Sequence, residues 1–380
     1  MNIMDEYAYG ICFFRKGIEN GMKRIIFFAK HMDLGGLEKS LLTLLNHLDH
    51  TQYHVTLVLE EKRGVLLRQL DRRVEVRQYR LSACPIRPVR RALNLLKRLL
   101  WSVKNRNAYD FSCAYCTYSV IGSYLAQIAS ENSCLYVHND YSRILPDEAD
   151  FRAFFDSLRT PRFRSVVFVS NESRDAFRAR YALEAERLHV INNLIDGDAV
   201  RALASEPCSV PPAPEVKTFL FVGRLDETQK RLSRLLEGMH LAAQQRQDLR
   251  LLIVGDGPDR AACEQLSQRL GLSGCVLFLG AQENPYPFFS AADCLVLTSD
   301  YEGFPVVYYE AMALGLDILT TVPVSDEQVN IAERAIIAAP NASAVGAAMA
   351  AYQPQRHPPF DFAEANDRRC RMLAALMERG

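Results

Sequence analysis

Residues 218–258 read TFLFVGRLDETQKRLSRLLEGMHLAAQQRQDLRLLIVGDGP. The stretch opens on an apolar run at 218–222, continues through an amphipathic segment at 230–245, and closes on a second apolar run at 249–254. Neither apolar run alternates with polar residues. Strands of this kind are buried on both faces, which is typical of parallel strands joined by a crossover helix. The stretch therefore predicts a βαβ unit.

The same alternation extends in both directions from this unit. Before it we predict strands at 24–29, 53–59, 74–79, 109–115, 133–137, 165–169 and 187–191, and helices at 36–48, 64–71, 88–105 and 118–130. After it we predict strands at 275–279, 293–298 and 317–320, and helices at 257–271, 284–292, 304–314 and 360–378. The pattern predicts an α/β protein of two tandem doubly wound, Rossmann-like domains. Their carboxyl edges would face an interdomain cleft, where ligands bind to such sheets.

A stretch without periodicity marks the predicted boundary between the domains. Residues 205–217 read SEPCSVPPAPEVK and contain four prolines, a composition typical of a linker. We therefore predict an N-terminal domain at 22–204 and a C-terminal domain at 218–355. The final segment, 356–380, is expected to form a helix that packs back across the domain boundary, and residues 1–21 are expected to be an extension.

The composition is that of a folded protein without bulk charge. Of 380 residues, 24% are charged and 49% are hydrophobic, and Lys+Arg and Asp+Glu number 45 each. These values exclude disordered and collagen-like chains. No export signal or membrane span is visible, so we expect a cytoplasmic location with reduced cysteines. Cys113 and Cys116 form a CAYC pair, but no second pair completes a zinc site.

Two cations follow the first strand of the quoted stretch. Gly223 and Arg224 end the strand, and Lys230 lies six residues after the arginine. A cationic pair at the carboxyl edge of a parallel sheet suits a diphosphate, because arginine and lysine can neutralise it together without a metal. The alternative is a pair of solvated surface cations.

A second motif, DYEGFP at 300–305, leads into a predicted helix that carries Glu310, eight residues after Glu302. Pro305 suits the first turn of a helix, and the free amides around it would form an anion-binding helix terminus. The residues of that terminus are Gly303, Phe304, Pro305 and Val306. The two carboxylates are better suited to sugar hydroxyls than to phosphate. The alternatives are a helix N-terminal acid for Glu302 and a surface residue for Glu310.

Together, VGRL with its following lysine, IVGDGP (253–258) and EGFPVVYYEAMALG (302–315) resemble the donor domain of the nucleotide-sugar-dependent glycosyltransferases of family four, which have the GT-B fold. DLGGLE at 33–38, VSNESRDAF at 169–177 and VINNLID at 190–196 are similar to parts of that family's N-terminal domain. The resemblance spans about 22–340.

The resemblance implies a role for each site residue. Arg224 and Lys230 would bind the donor diphosphate, Glu310 the ribose and Glu302 the transferred sugar. Gly35 and Gly36 would belong to the acceptor-side loop, and Gly223 with residues 303–306 to the donor site. His138, in the sequence YVHND, would lie near the anomeric carbon of the donor sugar, with Asp140 as the reserve candidate.

The chain also departs from the family pattern. After the strand at 317–320 it has TTVPVSDE (320–327) in place of the usual Gly-Gly-x-x-Glu loop. Contacts to the donor sugar from that loop are therefore not expected to follow the family.

The resemblance implies a retaining, hexosyltransferase-type enzyme. It would transfer a sugar from a nucleoside diphosphate donor to a glycan or lipid-linked acceptor in the biosynthesis of cell-surface polysaccharide, lipopolysaccharide or capsule. Attack would occur on the front face, with Arg224 and Lys230 stabilising the leaving phosphate, so neither a metal nor a cofactor is expected. Two alternatives stay open, a nucleotide-sugar epimerase of the same fold and a non-catalytic partner subunit of a transferase.

A basic stretch occupies 62–107, with fourteen cations against only Asp71 and Glu75. Its centre, 87–106, reads RPVRRALNLLKRLLWSVKNR and places Leu93, Leu96 and Leu100 near one stripe, together with Trp101. One interpretation is an interfacial helix that docks on the anionic cytoplasmic face of a membrane. The other is a crossover helix whose apolar stripe faces the sheet. Nucleic-acid binding is not expected, because aromatic residues do not alternate with the cations.

Overall fold

The structure is a computed structural model that describes residues 21–379, except 212, 214, 323–325, 327 and 356. The predicted extension, apart from Gly21, lies outside the described residues. By their internal contacts the residues form two compact units. The first contains the chain up to Asn193 and again from Arg368 onward, and the second contains Leu194–Asp367.

The first unit is built on a parallel sheet with the order β3-β2-β1-β4-β5-β6-β7 among the described residues. Its strands are β1 (Lys23–Ala29), β2 (Tyr53–Leu59), β3 (Glu75–Gln78), β4 (Phe111–Ala114), β5 (Ser133–Val137), β6 (Ser165–Phe168) and β7 (Leu188–Val190). The central strands β4, β5 and β6 are buried along their whole length. This burial on both faces explains why these three strands contain no charged residue.

Helices connect these strands. They are α1 (Gly36–His47), α2 (Arg87–Asn105), α3 (Val120–Ala129), α4 (Tyr141–Ile144), α5 (Glu148–Ser157) and α6 (Asn171–Arg180). The α-helix predicted at 64–71 is wrong, because the segment is a short 3-10 helix, Val65–Gln69. It starts after Gly64, whose φ of 119° and contact with the Met32 backbone leave no room for a side chain.

The second unit has a parallel sheet with the order β10-β9-β8-β11-β12-β13 among the described residues. Its strands are β8 (Lys217–Val222), β9 (Leu249–Val254), β10 (Val276–Gly280), β11 (Cys294–Leu297), β12 (Asp317–Thr320) and β13 (Ala335–Ile337). The helices are α7 (Gly197–Ala204), α8 (Leu232–Ala243), α9 (Arg260–Arg269), α10 (Tyr286–Ser290), α11 (Val306–Ala313), α12 (Ala342–Ala351) and α13 (Ala363–Met377). The prediction of two doubly wound sheets is confirmed.

The division between the units differs from the predicted linker at 205–217. It falls at Asn193, so helix α7 belongs to the second unit, where it packs against α10 and α11. A second division passes through the final helix, between Asp367 and Arg368.

Each sheet contains one point where the strand order reverses. In the first unit this switch point lies between β1 and β4, and in the second unit between β8 and β11. Loops that leave adjacent strands there run in opposite directions and open a crevice at the carboxyl edge. The topology therefore selects the loops after β1, β4, β8 and β11 as the candidate functional loops.

Candidate functional site

The switch point of the second unit joins the two motifs that the sequence analysis selects. Lys230 lies in the loop after β8 and Glu302 in the loop after β11. The ammonium Nζ of Lys230 donates a hydrogen bond to Glu302 Oε1 at 2.7 Å. Both side chains are largely buried, with 15% and 6% of their surfaces exposed. The fold therefore brings together a cation and an acid that are 72 residues apart in sequence.

The Glu302 carboxylate is held by further donors. Ser299 Oγ donates to the same oxygen, Oε1, at 2.5 Å, and Gln229 Nε2 lies 3.5 Å from Oε2. These contacts fix the carboxylate in place, so Glu302 is more than an acid beside a helix N-terminus. Its neighbour Asp300 is paired with arginines of the β8 loop and of α8, Arg231 and Arg234.

Arg224 differs from Lys230 in its surroundings. Its side chain is 70% exposed, and its contact with a carboxylate, that of Asp226, is 3.9 Å long. A guanidinium with such a weak contact is free to reorient toward an anionic ligand at this edge of the sheet. The structure thus gives the two predicted phosphate-binding cations different settings, one exposed and one buried in an ion pair.

The sequence IVGDGP has a packing role beneath the VGRL loop. A side chain at Gly255 would lie 1.9 Å from the carbonyl oxygen of Gly223, and one at Gly257 would lie 2.2 Å from that of Leu225. Two backbone hydrogen bonds, from Gly223 N to Val254 O and from Leu225 N to Asp256 O, join the loops at 3.0 Å each. The glycines therefore allow the backbone contact that supports Arg224.

The helix expected after the EGFP motif begins at Val306. Pro305 occupies the N-cap position, outside the predicted first turn, and no described side chain caps this terminus. Gly303, Phe304 and Pro305 are buried. The Phe304 ring stacks on that of Tyr309, with 4.3 Å between ring centroids. This contact orients the loop, and the start of the helix contributes a partial positive charge at the switch point.

Glu310 is buried in α11, which rules out the surface alternative. The hydroxyl of Tyr286 donates a hydrogen bond to Glu310 Oε1 at 2.7 Å. Burial raises the pKa of Tyr286 and the adjacent carboxylate raises it further, so the phenol stays protonated and can donate this bond. Sequence reasoning missed Tyr286, because only the fold brings α10 beside α11.

His138 follows β5 at the carboxyl edge of the first sheet. Its ring stacks on Tyr136 at 5.0 Å and contacts Tyr115 at 4.5 Å between centroids. Both ring nitrogens are buried, and neither has a hydrogen-bond partner of normal geometry in the described part of the chain. Burial has the larger effect on the pKa of the ring, and the nearby Tyr115 backbone acts in the opposite direction, to raise it. Burial lowers the pKa of His138 to about 3, so the imidazole is neutral at neutral pH.

The reserve candidate, Asp140, has a structural role. Its carboxylate caps α4 by accepting hydrogen bonds from the backbone amide and hydroxyl of Ser142, at 2.9 and 2.5 Å. N-cap bonds of this kind stabilise a helix start, and they occupy Oδ1 of the carboxylate. The cap therefore gives Asp140 a local structural role at the start of α4.

Gly35 and Gly36 form the start of α1 at the switch point of the first unit. A side chain at Gly35 would meet the Glu38 carboxylate at 2.2 Å, whereas Gly36 faces open space. Glu38 is buried and accepts a hydrogen bond from the Tyr118 hydroxyl at 3.0 Å. This bond joins the loop after β4 to the helix after β1, a link that the sequence alone does not predict.

The CAYC pair lies inside the first unit. Cys113 and Cys116 are both buried, and burial raises the pKa of the Cys116 thiol to about 12. Among the described residues no group of three or more His, Cys, Asp and Glu side chains is arranged to hold a metal ion. The pair therefore packs as small apolar side chains.

Residues 34–199 match the family described as Glycosyltransferase Family 4, and residues 209–353 match Glycosyl transferases group 1. The chain is a member of glycosyltransferase family four. Among relatives, the Salmonella typhimurium lipopolysaccharide 1,6-galactosyltransferase is 36% identical to this family-four chain over 158 residues, 40% of the chain and 41% of the relative.

A second relative is the N-acetylgalactosamine-N,N'-diacetylbacillosaminyl-diphospho-undecaprenol 4-alpha-N-acetylgalactosaminyltransferase of Campylobacter jejuni. It is 25% identical over 189 residues, 50% of this chain and 48% of the relative. The family-four chain spans about a fifth to a half of the length of the curated relatives that it matches.

Solved structures match over more of the chain. Anabaena HepE, in complex with UDP and glucose, superposes with a TM-score of 0.71 at 19% identity, covering 86% of this chain and 89% of HepE. The similarity confirms the GT-B type of fold for this family-four chain. No helix in the described part of the chain is both long enough and apolar enough to cross a bilayer.

Proposed function

We propose that this chain is a retaining glycosyltransferase that moves a sugar from a nucleoside diphosphate donor to a glycan or lipid-linked acceptor. The observation that carries the proposal is the buried Lys230–Glu302 ion pair at the β8/β11 switch point. A buried ion pair is a weak source of stability. A role in ligand binding explains why this buried ion pair is present in loops at the edge of the sheet where ligands bind.

Each residue of this site has a role in the proposal. The exposed guanidinium of Arg224 contacts the donor diphosphate first, and the Lys230 ammonium exchanges its contact with Glu302 for a phosphate oxygen. The released Glu302 carboxylate then accepts hydrogen bonds from the transferred sugar. The Glu310 carboxylate, oriented by Tyr286, binds the ribose hydroxyls.

The proposed chemistry proceeds with retention of the anomeric configuration. Attack on the front face would pass through an oxocarbenium-like transition state, and the leaving phosphate would accept the proton of the acceptor hydroxyl. Arg224 and Lys230 stabilise the charge that develops on that phosphate. Because two cations serve this purpose, we propose that the reaction needs no added metal. Neutral His138 offers a hydrogen-bonding nitrogen without adding charge.

Relatives and structural neighbours support the choice of substrates. HepE is known in complex with UDP and with UDP-glucose, which supports a nucleotide-sugar donor. The Salmonella typhimurium relative is a lipopolysaccharide galactosyltransferase, and the Campylobacter jejuni relative is named for a diphospho-undecaprenol acceptor. We therefore propose a role in the biosynthesis of lipopolysaccharide or another cell-surface polysaccharide.

The first test is a thermal-shift screen with UDP, GDP, ADP and CDP. A ligand at 100 times its Kd stabilises the protein by about 2.7 kcal/mol, so one nucleotide should raise the Tm clearly. The corresponding nucleotide sugars are then incubated with and without deacylated lipopolysaccharide cores and undecaprenyl-diphosphate glycans. Nucleoside diphosphate should be released only with an acceptor, and EDTA should leave the rate unchanged.

The outcomes separate the proposal from its alternatives. The anomeric coupling constant of the product, measured by proton NMR, should match that of the donor, and inversion would contradict the retaining mechanism. Conversion of the donor sugar without an acceptor would identify an epimerase. If no nucleotide shifted the Tm, the non-catalytic partner subunit would be the better interpretation.

A further inference from the structure

Helix α2 (Arg87–Asn105) carries its apolar residues on the side that faces solvent. The residues that share this exposed apolar face are Val89, Leu93, Leu95, Leu96, Leu99, Leu100 and Val103. Leu100 is 62% exposed and Val103 is 77% exposed. The described residues therefore leave the stripe uncovered, and the alternative of a crossover helix with its apolar stripe against the sheet is wrong.

The opposite face attaches the helix to the first unit. Trp101 lies edge-on to Phe28 and Tyr79, with 5.9 and 6.4 Å between ring centroids. The side-chain oxygen of Asn94 accepts a hydrogen bond from the Ser82 amide at 2.7 Å. Since this face supplies the packing and polar contacts, the apolar stripe on the other face is free to contact another surface.

Positive charge borders the stripe. Residues 87–106 contain seven cations and no acid, and the whole stretch 62–107 carries fourteen cations against two acids. At about 100° per residue, Lys97 and Lys104 border one side of the stripe and Arg91 the other. An apolar face between cations matches an anionic bilayer, where acyl chains accept the leucines and headgroups accept the cations.

We propose that α2 docks this protein on an anionic lipid bilayer, with the Leu96–Leu100–Val103 stripe buried at the boundary of headgroups and acyl chains. A symmetric contact between two copies would face one row of cations with another, which disfavours a dimer through this face. The helix lies in the interface and does not cross it, in keeping with its high charge. The proposal concerns where the protein is located and does not depend on the reaction that it catalyses.

The test is co-sedimentation of the full chain with vesicles. One set contains phosphatidylcholine alone, and the other contains equal parts of phosphatidylcholine and phosphatidylglycerol. Binding is expected only to the anionic vesicles at low salt. It should weaken strongly at high salt, because the Debye length falls from about 10 Å at 0.1 M to about 3 Å at 1 M.

Two variants separate the contributions of the stripe and of the cations. Leu96→Ser/Leu99→Ser/Leu100→Ser should abolish binding, and its control, Leu277→Ser/Ile337→Ser, replaces exposed apolar residues elsewhere. Arg91→Gln/Arg106→Gln should lower the partition coefficient by about 25-fold, taking about fivefold per cation at an anionic surface. Its control, Arg162→Gln/Arg178→Gln, removes the same charge from other exposed positions.

These variants avoid Lys97 and Arg98, because Lys97 donates to the Arg80 carbonyl at 3.0 Å and Arg98 lies over the Tyr124 ring. Trp101, the single tryptophan, reports by its emission that α2 stays attached to the first unit in every variant. The absence of wild-type binding to anionic vesicles at low salt would overturn the proposal. So would binding that appears only after deletion of residues 1–20, or a concentration-dependent dimer that the leucine variant abolishes.

Discussion

At the scale of single residues, the Lys230–Glu302 pair connects stability to function. Replacing Lys230 by Met should leave Glu302 as an uncompensated buried charge and lower the free energy of unfolding by about 3–5 kcal/mol. The expected loss is large because both side chains of the pair are largely buried. Urea unfolding of the variant measures the loss.

Two further variants make this test specific. Glu302→Gln added to Lys230→Met removes the second charge and should restore much of the lost stability.

Arg224→Ala changes an exposed side chain, so the stability should change by less than about 0.5 kcal/mol. Its turnover should nevertheless fall by about ten- to hundredfold, because a charge-assisted bond to the leaving phosphate is lost. Equal unfolding midpoints for Lys230→Met and wild type would contradict the buried pair.

Tyr286 is predicted to act through Glu310. Tyr286→Phe removes the 2.7 Å hydrogen bond that orients the carboxylate, so we expect a higher KM for the donor, about tenfold, with kcat little changed. Glu310→Gln should also weaken donor binding, because an amide holds hydroxyls less strongly than a carboxylate does. His138→Ala should instead lower kcat more than donor affinity. Steady-state kinetics with varied donor separates these effects, and equal losses of donor affinity in all three variants would contradict the division of roles.

His138 also predicts how stability depends on pH. The histidine pKa is about 6.5 in the unfolded chain and about 3 in the fold. Between these values the unfolded state binds the extra proton, so stability is present above pH 6.5 and is lost as the pH falls. From pH 7 to pH 5 this residue should cost about 2 kcal/mol.

The measurement compares urea midpoints of wild type and His138→Phe at both pH values. The phenylalanine keeps the stacking on Tyr136 but cannot be protonated, so the variant should lose less stability on acidification. His47→Gln, a change at an exposed histidine of α1, is the matched control. A pH dependence shared by wild type and His138→Phe would show that His138 is not buried in its neutral form.

Among helices and strands, the sequence predicts those whose residues are buried on both faces. It misses those whose formation depends on the elements that they pack against. The strands 53–59, 133–137, 249–254 and 317–320 agree with the structure at both ends, because predominantly apolar runs reflect burial on both faces. The sequence analysis does not predict strand β13 or the helices α4 (Tyr141–Ile144), α5 (Glu148–Ser157), α6 (Asn171–Arg180), α7 (Gly197–Ala204) and α12 (Ala342–Ala351). Strand β13 has only three residues, and α12 is apolar around much of its surface, so neither carries a clear period.

The contact between the VGRL and IVGDGP loops depends on the absence of a side chain at Gly255. Gly255→Ala introduces a methyl group where the Gly223 carbonyl lies 1.9 Å away, at a φ of 143° that alanine rarely adopts. The change should destabilise the second unit by about 1–3 kcal/mol and weaken nucleotide binding by shifting the loop of Arg224. Gly274→Ala, where no atom lies within 4 Å, should behave as wild type. Thermal shifts with and without nucleotide measure both effects, and a Gly255→Ala variant with normal Tm and affinity would rule out the support role.

At the scale of the whole molecule, the sequence predicts the candidate loops better than the contacts within them. Repeated βα units reveal both doubly wound sheets, and the motifs at 223–230 and 300–310 fall at a switch point. The partner of each side chain depends on the folded chain. From the sequence, Lys230 could equally be a solvated cation. The apolar face of α2 could equally be buried, because amphipathicity does not determine which face of a helix contacts the protein.

The chain passes from the second unit back to the first within its final helix. Helix α13 belongs to the second unit up to Asp367 and to the first from Arg368. In the first unit, Asn132 Nδ2 donates to the carbonyls of Leu376 and Met377 at 2.9 and 3.2 Å. In the second, the Asn366 side chain bonds the backbone amide and carbonyl of Ile195 at 3.1 and 2.7 Å.

Each asparagine should therefore affect the stability of its own unit. Asn132→Ala removes the side-chain donor from both helix carbonyls, of which that of Leu376 keeps a bond from the Arg379 amide at 3.3 Å. The loss costs about 1 kcal/mol and should speed hydrogen exchange in β4 and β5 while β8 and β9 keep their protection. Asn366→Ala should give the opposite pattern. Hydrogen-exchange mass spectrometry on both variants measures the two units in one experiment. If either variant accelerated exchange equally in both sheets, the chain would unfold as one cooperative body, and the division at Asp367 would have no energetic meaning.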